Sequence, residues 1–242
     1  MKKHKLIRNV GLHQLGVERT YKPRTLISHP GWNFGDMLTL AVGYHLASHP
    51  EFTFLQIGAF DGVNNDPLHA LILKYKLSGI LVEPQPKAFE ALKVTYRDHP
   101  QLILVQAAVS HRAEVKPFYT SEHQATQVAS FSREHLIKRK VPPSAIKELQ
   151  LQCFTIDSLL KKYAVDSLDL IQIDTEGYDF EIIKSIDFSS TKPFIIRYEH
   201  EHLSNLDYNA SLELLAQQGY QFHVEKKDVT AIRWLSESEH QA

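Results

Sequence analysis

Cysteine, net charge and long apolar runs are all scarce in this sequence. The 242 residues include one cysteine, Cys153, so an internal disulfide is excluded and a reducing compartment is expected. Lys and Arg total 27 against 28 Asp and Glu, and the resulting net charge of −1 gives no basic surplus for nucleic acid. No stretch is apolar and long enough to cross a bilayer. The sequence therefore predicts no nucleic-acid partner and no membrane partner.

A secretory leader is also not expected. The basic start, residues 1–5, is followed by residues 6–20, in which apolar side chains alternate with His, Gln, Glu and Arg. A signal peptide would instead carry a continuous apolar segment there. We therefore predict a cytoplasmic protein.

From residue 52 onward, short apolar runs alternate with amphipathic helical patterns. The predicted strands of this region cover residues 52–57, 79–83, 102–108, 168–174 and 194–199. Alternating strands and helices indicate an α/β fold with a doubly wound, mostly parallel sheet. The chain ends differently, because the strands 220–224 and 229–234 are joined by four residues. A crossover helix does not fit in that space, so we predict a C-terminal antiparallel hairpin.

Two regions fall outside this alternation. Residues 1–50 contain turn signals and one short helical pattern at 37–46, and we interpret them as an N-terminal helical cap or extension of a main domain covering 51–242. Residues 111–152 form a polar insertion with helical patterns at 134–140 and 145–149. An insertion between the third and fourth strands would lie above the strand C-termini, where such folds bind ligands. Substrate recognition and simple surface elaboration both remain open for it.

The loop after the first strand carries the first functional signal. Gly58 and Gly62 frame that loop and permit a tight turn close to a ligand. Glu83 ends the second strand 21 residues after Gly62, near the position from which a carboxylate holds the hydroxyls of a ribose. The alternatives are a plain turn glycine and a surface acid at a strand end.

The acids around this loop bear on the choice of nucleoside cofactor. A pyrophosphate needs N–H donors and a positive helix end, whereas Asp61 lies in the loop and Asp66 at the helix entry. The third glycine of the dinucleotide pattern is also missing. S-adenosylmethionine has no phosphate and carries a sulfonium and an amino group, so these acids favour it over a dinucleotide.

Four segments resemble the FkbM-type S-adenosylmethionine-dependent methyltransferases. They are the segment from Phe54 to Gly62 and residues 79–84, 107–110 and 173–179, the last reading Ile-Asp-Thr-Glu-Gly-Tyr-Asp. The resemblance implies a Rossmann-like class I fold, of which a parallel sheet closed by one antiparallel hairpin is typical. It also implies O-methylation of a small-molecule or sugar acceptor.

The same resemblance implies roles for individual residues. Gly58, Ala59 and Gly62 would line the methionine part of the cofactor, with Glu83 on the ribose and Ala107 and Ala108 near the adenine. We count further residues around these segments among the predicted cofactor contacts, namely Gln56, Phe60, Asp61, Asn65, Pro84 and Asp174. Related sequences usually carry an acid where this one has Gln56, and Asp61 is a candidate to replace it.

The predicted catalytic residues follow the fourth and fifth strands. A hydroxyl acceptor benefits from a general base, and the candidates are Asp174, Glu176, Glu199, His200 and His202. If the fifth strand continues in an extended form, His200 and His202 share one face. Asp174 and Glu176 also suit the N-terminus of the next helix, and the two roles are compatible. Carboxylates and imidazoles together can bind a metal, but the spacings match no recognised motif and methyl transfer needs no ion. We therefore predict no metal.

Two other classes of function remain open at this level. A non-catalytic relative would bind the cofactor or a partner without transferring a methyl group, and a nucleotide-cofactor oxidoreductase would bind NAD in the same loop. Cys153 is predicted to be a packed strand residue and not a nucleophile, because no thiolate-stabilising pattern surrounds it.

Overall fold

A seven-stranded sheet organises the computed structural model, which describes residues 36–121 and 129–233. The described strands, in chain order, are β1 (Thr53–Ile57), β2 (Ser78–Val82), β3 (Leu102–Val105), β4 (Ala108–Val109), β5 (Val115–Ser121), β6 (Ile146–Phe154), β7 (Leu170–Ile173), β8 (Ile195–Glu199), β9 (Gln221–Val224) and β10 (Asp228–Ile232). The large sheet has the order β3-β2-β1-β7-β8-β10-β9. Its first five strands are parallel, and β10 is antiparallel to both β8 and β9. The predicted fold class, including the C-terminal hairpin, is confirmed.

Helices cover both faces of this sheet. The described α-helices are α1 (Met37–Leu46), α2 (His69–Tyr75), α3 (Pro86–Thr95), α4 (Arg133–Lys138), α5 (Ile156–Lys162), α6 (Asp179–Lys184) and α7 (Asn205–Gln217). The local sequence explains where several of these helices begin. Pro86 occupies the first turn of α3, and the Thr155 hydroxyl accepts a hydrogen bond from the Ser158 N–H at the start of α5. Ser204 caps α7 in the same way, by accepting from the Asp207 N–H.

Two apolar clusters lie on opposite sides of the sheet because successive strand residues point to opposite faces. In β1, Phe54 belongs to one cluster and Leu55 to the other, and both are fully buried. Helices α1, α2 and α3 contribute to the Phe54 side, and α5, α6 and α7 to the Leu55 side. The helices are thus wound on both faces, which leaves the C-terminal ends of the parallel strands free to build a site.

A second, three-stranded sheet with the order β4-β6-β5 covers much of the predicted insertion. β5 and β6 are antiparallel, and β4 pairs in parallel with the end of β6, where Ala108 lies opposite Cys153. The predicted strand 102–108 is therefore two strands, because its last part pairs with β6 and not with β2. The predicted helix at 145–149 is wrong, since a 3-10 turn (Pro143–Ala145) leads directly into β6. Cys153 is a buried strand residue, as predicted.

Helix α1 confirms the helix predicted at 37–46. Leu38, Ala41 and Val42 are buried in the cluster on the Phe54 side, and His45 Nε2 lies 2.8 Å from Asp169 Oδ1. Residues 1–35 of the predicted cap lie outside the described residues, so the division of the chain at residue 50 stays a prediction. Trp234, at the end of the predicted hairpin, also lies outside them. No helix in the described ranges has the length and apolar character of a membrane span.

Candidate active site

A cavity of about 460 Å³ opens at the C-terminal ends of β1, β2, β7 and β8. Ligands of open α/β sheets bind at this edge, and the volume lies within the usual range for small-molecule sites. Its walls come from the loops after these strands, from α4 and from the second sheet. Residues that are far apart in the sequence therefore meet in one place.

The loop after β1 forms the floor of the cavity. The N–H groups of Gly58 and Ala59 donate to the Val82 carbonyl at 2.9 and 3.1 Å, which holds the loop against the end of β2. Gly58 has a φ of +84°, and a Cβ there would lie 1.9 Å from the Asp174 carbonyl oxygen. Only glycine allows β1 and β7 to approach so closely at this point. Gly58, Ala59 and Phe60 all line the cavity, as the sequence predicted.

Glu83 is buried immediately beside this loop. Its Oε2 accepts from the Phe60 N–H at 2.9 Å, and its Oε1 accepts from the Gln85 N–H at 2.8 Å. Each carboxylate oxygen can accept a second hydrogen bond, so capacity remains for two ligand hydroxyls. Burial raises the pKa of Glu83 to about 7. The geometry suits the pair of hydroxyls on a ribose.

Most of the other predicted cofactor residues also line the cavity. These are Gln56, Asn65, Pro84, Ala107, Ala108 and Asp174. Asp61 and Gly62 do not. The Asp61 carboxylate accepts from the N–H groups of Val63 and Asn64 and so caps its own turn. A Cβ on Gly62 would lie 2.5 Å from the Tyr96 ring, so this glycine allows the loop to pack on α3.

Asp66, and not Asp61, is the acid that contacts Gln56 in the cavity wall. Gln56 Nε2 donates to Asp66 Oδ1 at 3.0 Å, and both residues line the cavity. Gln56 Oε1 and Asp66 Oδ2 are shielded from solvent and accept no hydrogen bond from any described residue. Burial raises the pKa of Asp66. Two unused acceptors at this end fit a ligand that brings N–H donors or positive charge.

Three predicted catalytic carboxylates converge in the cavity wall. Oxygens of Asp174, Glu176 and Glu199 lie within 4.8 Å of one another. Desolvation in the cavity, together with the negative charges of Asp179 and Glu199, raises the pKa of Asp174 to about 8. Burial and the neighbouring acids also raise the pKa values of Glu176 and Glu199 to about 7. So many acids in one place favour a cationic or proton-donating ligand.

His200 is not part of this group. Strand β8 ends at Glu199 and the chain then turns, with the Leu203 N–H donating to the His200 carbonyl. As a result the His200 ring packs near Tyr208, and its Nε2 lies 3.3 Å from the Glu225 carbonyl, outside the cavity. His202 turns inward instead, with Nε2 3.1 Å from Glu176 Oε2. The prediction that both histidines share a face assumed an extended chain, and that assumption is wrong.

Helix α4 and its C-terminal cap residue, Arg139, add two residues that the sequence did not identify. His135 Nε2 lies 3.2 Å from Glu176 Oε2, and an Arg139 nitrogen lies 3.9 Å from the same oxygen. Phe118 and Phe131 form an aromatic wall next to them, with ring centroids 5.4 Å apart. No spacing in the sequence links α4 to Glu176, because the contact depends on how the insertion folds back over the sheet.

The domain match decides the family. A family model described as the methyltransferase FkbM domain matches residues 56–222, which is more than half of the chain. The chain belongs to the FkbM methyltransferase family. The resemblance seen in the sequence is thereby confirmed, and membership implies that S-adenosylmethionine is the methyl donor. No curated protein matches this chain.

Three solved structures with a similar course of the chain are distant from it in sequence. The methyltransferase FkbM of Methylobacillus flagellatus KT is 14% identical, with a TM-score of 0.48, and the match covers 96% of this chain and 60% of that one. The precorrin-6y C5,15-methyltransferase of Geobacter metallireducens GS-15 is 12% identical (TM-score 0.43, 89% and 94% covered). The fibrillarin pre-rRNA processing protein of Methanococcus jannaschii is 14% identical (TM-score 0.41, 75% and 65% covered). The family assignment therefore rests on the domain match, and this FkbM chain spans less than two thirds of the Methylobacillus chain.

Proposed function

We propose that the protein transfers a methyl group from S-adenosylmethionine to a hydroxyl oxygen of a small molecule or sugar. The proposal depends on one part of the cavity wall. There the buried Glu83 carboxylate and two acceptors without a described hydrogen-bond partner, on Gln56 and Asp66, lie around the turn at Gly58. When bound, the cofactor supplies a methyl group that its sulfonium already activates. The protein then has to bind the cofactor, orient the acceptor and receive a proton.

The polar groups of the cavity favour this cofactor over a dinucleotide. Glu83 has acceptor capacity for the ribose hydroxyls, and the Gln56 and Asp66 acceptors suit the positively charged amino group of the methionine part. A pyrophosphate needs donors, and it would be repelled by Asp66. Ala107 and Ala108 leave room for a flat base between the two sheets.

Positioning is the main contribution that we expect from the protein. Holding two reactants in line can lower a barrier by roughly 7–11 kcal/mol in favourable cases, and a positioned base adds about 10²–10⁴-fold. Asp174 is the base that we propose, because its backbone lies against the Gly58 turn while its side chain lines the cavity. Glu176 and Glu199 would orient the acceptor beside it. His200 is not included in this proposal, since it lies outside the cavity.

The acceptor side supports a small ligand with a ring. Phe118 and Phe131 offer aromatic surface, and Arg139 and Lys227 add polar donors at the cavity wall. We propose that the insertion 111–152 recognises the acceptor, since three of these four residues, Phe118, Phe131 and Arg139, belong to it. In the same proposal, residues 51–242 form the catalytic domain and residues 1–50 an extension.

Methyl transfer to a panel of sugars and small hydroxylated metabolites tests the proposal. With isotopically labelled S-adenosylmethionine, we expect labelled product whose methyl group survives mild alkali, as an ether does and an ester does not. Asp174→Asn should lower turnover by about 10²-fold or more with little change in cofactor affinity. Cofactor binding without transfer to any acceptor would favour a non-catalytic relative, and a product methylated on nitrogen would contradict O-methylation.

A further inference from the structure

Two histidines and two glutamates form a cluster at the edge of the cavity. His135 comes from α4, Glu176 from the loop after β7, and Glu199 and His202 from the end of β8 and its following turn. All four side chains are mostly buried, with between 11% and 16% of each exposed. We call these four residues the His–Glu cluster. It joins the insertion to two loops of the main sheet.

The distances within the His–Glu cluster match those between the ligands of one metal ion. Glu176 Oε2 lies 3.2 Å from His135 Nε2 and 3.1 Å from His202 Nε2, and Glu199 Oε2 lies 3.5 Å from His202 Nε2. Bonds of about 2.0–2.2 Å at tetrahedral angles place neighbouring ligand atoms about 3.3–3.6 Å apart. One ion can therefore contact all of these atoms after small side-chain movements.

One hydrogen bond among the described residues, between His135 Nε2 and Glu176 Oε2, accounts for only part of the arrangement. His202 Nε2 and Glu199 Oε2 are both shielded from solvent, and neither has a hydrogen-bond partner in the ranges that the structure describes. The short contact between His202 and Glu176 brings the two atoms together without the angle that a hydrogen bond needs. Buried polar atoms left in this state are costly, and a bound cation would satisfy both of them.

We propose that the His–Glu cluster binds one divalent transition-metal ion, with Zn²⁺ as the best fit. His135, Glu176 and His202 would be the protein ligands, and Glu199 would be a fourth ligand or would hold a bound water. Imidazole nitrogens combined with a carboxylate favour Zn²⁺ and its neighbours over Mg²⁺, which prefers oxygen ligands. Glu201 stays outside, because it pairs with Lys227 and is exposed.

This inference departs from the sequence-level expectation of no metal, for a structural reason. His135 is 41 residues from Glu176 in the sequence, so no short motif announces the site. The inference also goes beyond the proposed function, because an ion here would fix α4 against the loops that carry Glu176 and His202. It would thereby hold the acceptor wall in place whether or not methyl transfer occurs.

Calorimetric titration of the chelator-treated full chain with Zn²⁺ tests the proposal. We expect one ion per chain, and a loss of affinity on the order of 100-fold in both His135→Ala and His202→Gln. His200→Ala is the matched control, because its ring lies two residues away and outside the cluster, and it should bind zinc like the unaltered protein. Thermal unfolding without metal shows whether each variant is folded.

Two further readouts make the result decisive. Co²⁺ in place of Zn²⁺ should give the visible absorption of a site with nitrogen ligands, and this absorption should disappear in His135→Ala. The proposal is overturned if the unaltered protein binds no zinc, if it binds Mg²⁺ more tightly, or if both cluster variants keep full affinity. S-adenosylhomocysteine binding is measured on the same samples, so zinc binding without cofactor binding would refute the proposed function alone.

Discussion

At the scale of single residues, Glu83 has the most specific role in the proposed cofactor half of the cavity. Two backbone N–H groups fix its carboxylate, and burial raises its pKa from the ordinary 4.5 to about 7. The folded protein therefore binds a proton at Glu83 more tightly than the unfolded chain does. The stability that comes from the protonated form is complete below about pH 4.5 and is lost as the pH rises through about 7.

The predicted loss of stability with rising pH can be tested with the variant Glu83→Gln. Between pH 5 and pH 8, the free energy of unfolding of the ligand-free protein should fall by about 1–3 kcal/mol more than that of the variant. Urea unfolding at the two pH values measures the difference, and other titrating groups cancel because both proteins contain them. If the free energy of unfolding depends on pH in the same way in both proteins, the pKa of Glu83 is not raised by folding, and the prediction is wrong. The variant should also bind S-adenosylhomocysteine about 10-fold more weakly.

Asp66 and Asp61 offer a matched pair of acids at the same loop. Asp66 has a buried acceptor that no described residue uses, whereas Asp61 caps its own turn. Asp66→Asn should weaken binding of S-adenosylhomocysteine roughly 10-fold to 100-fold, as expected for a lost hydrogen bond to a charged group, while Asp61→Asn should change it by about 2-fold or less. Calorimetric titration of both variants with S-adenosylhomocysteine measures the two affinities. A larger loss of affinity in Asp61→Asn than in Asp66→Asn would support the role that the sequence suggested for Asp61.

At the scale of elements, the cavity depends on how closely β1 and β7 approach. Gly58 and Gly219 have nearly the same positive φ, +84° and +87°, but only at Gly58 would a Cβ meet another atom, the Asp174 carbonyl. Gly219→Ala should cost about 1–2 kcal/mol of stability, from backbone strain alone. Gly58→Ala should cost about 3 kcal/mol or more, since a backbone atom must move. Chemical unfolding compares the two, and equal costs would mean that the loop shifts freely.

The elements also show which patterns can be interpreted without a structure. Strands β1, β2, β7 and β8 are short and mostly apolar, and turn residues bound them, so their positions were predicted to within one or two residues. β6 was missed, although Leu149, Leu151 and Cys153 alternate with glutamines as in a strand with one buried face. The polar residues before them and the prolines at 142 and 143 favoured a loop and a short helix.

At the scale of the whole molecule, the proposed cofactor half and the proposed acceptor half of one cavity lie at the same edge of the sheet. The cofactor half is built from local segments that follow β1 and β2, so motif spacing was enough to predict Gly58 and Glu83. The acceptor half requires α4 and the turn after β8 to fold back, and neither contact leaves a spacing signal. His135 was therefore missed, and of the two predicted histidines it is His202, not His200, that lies beside Glu176.

The central claim is that this cavity binds S-adenosylmethionine and not a dinucleotide. Calorimetric titration of the full chain with S-adenosylhomocysteine and, separately, with NAD tests it most directly. The account predicts binding of one S-adenosylhomocysteine per chain with a dissociation constant of roughly micromolar or tighter, about −8 kcal/mol or better, and no measurable heat with NAD. Saturable binding of NAD, together with no binding of S-adenosylhomocysteine, would contradict the account.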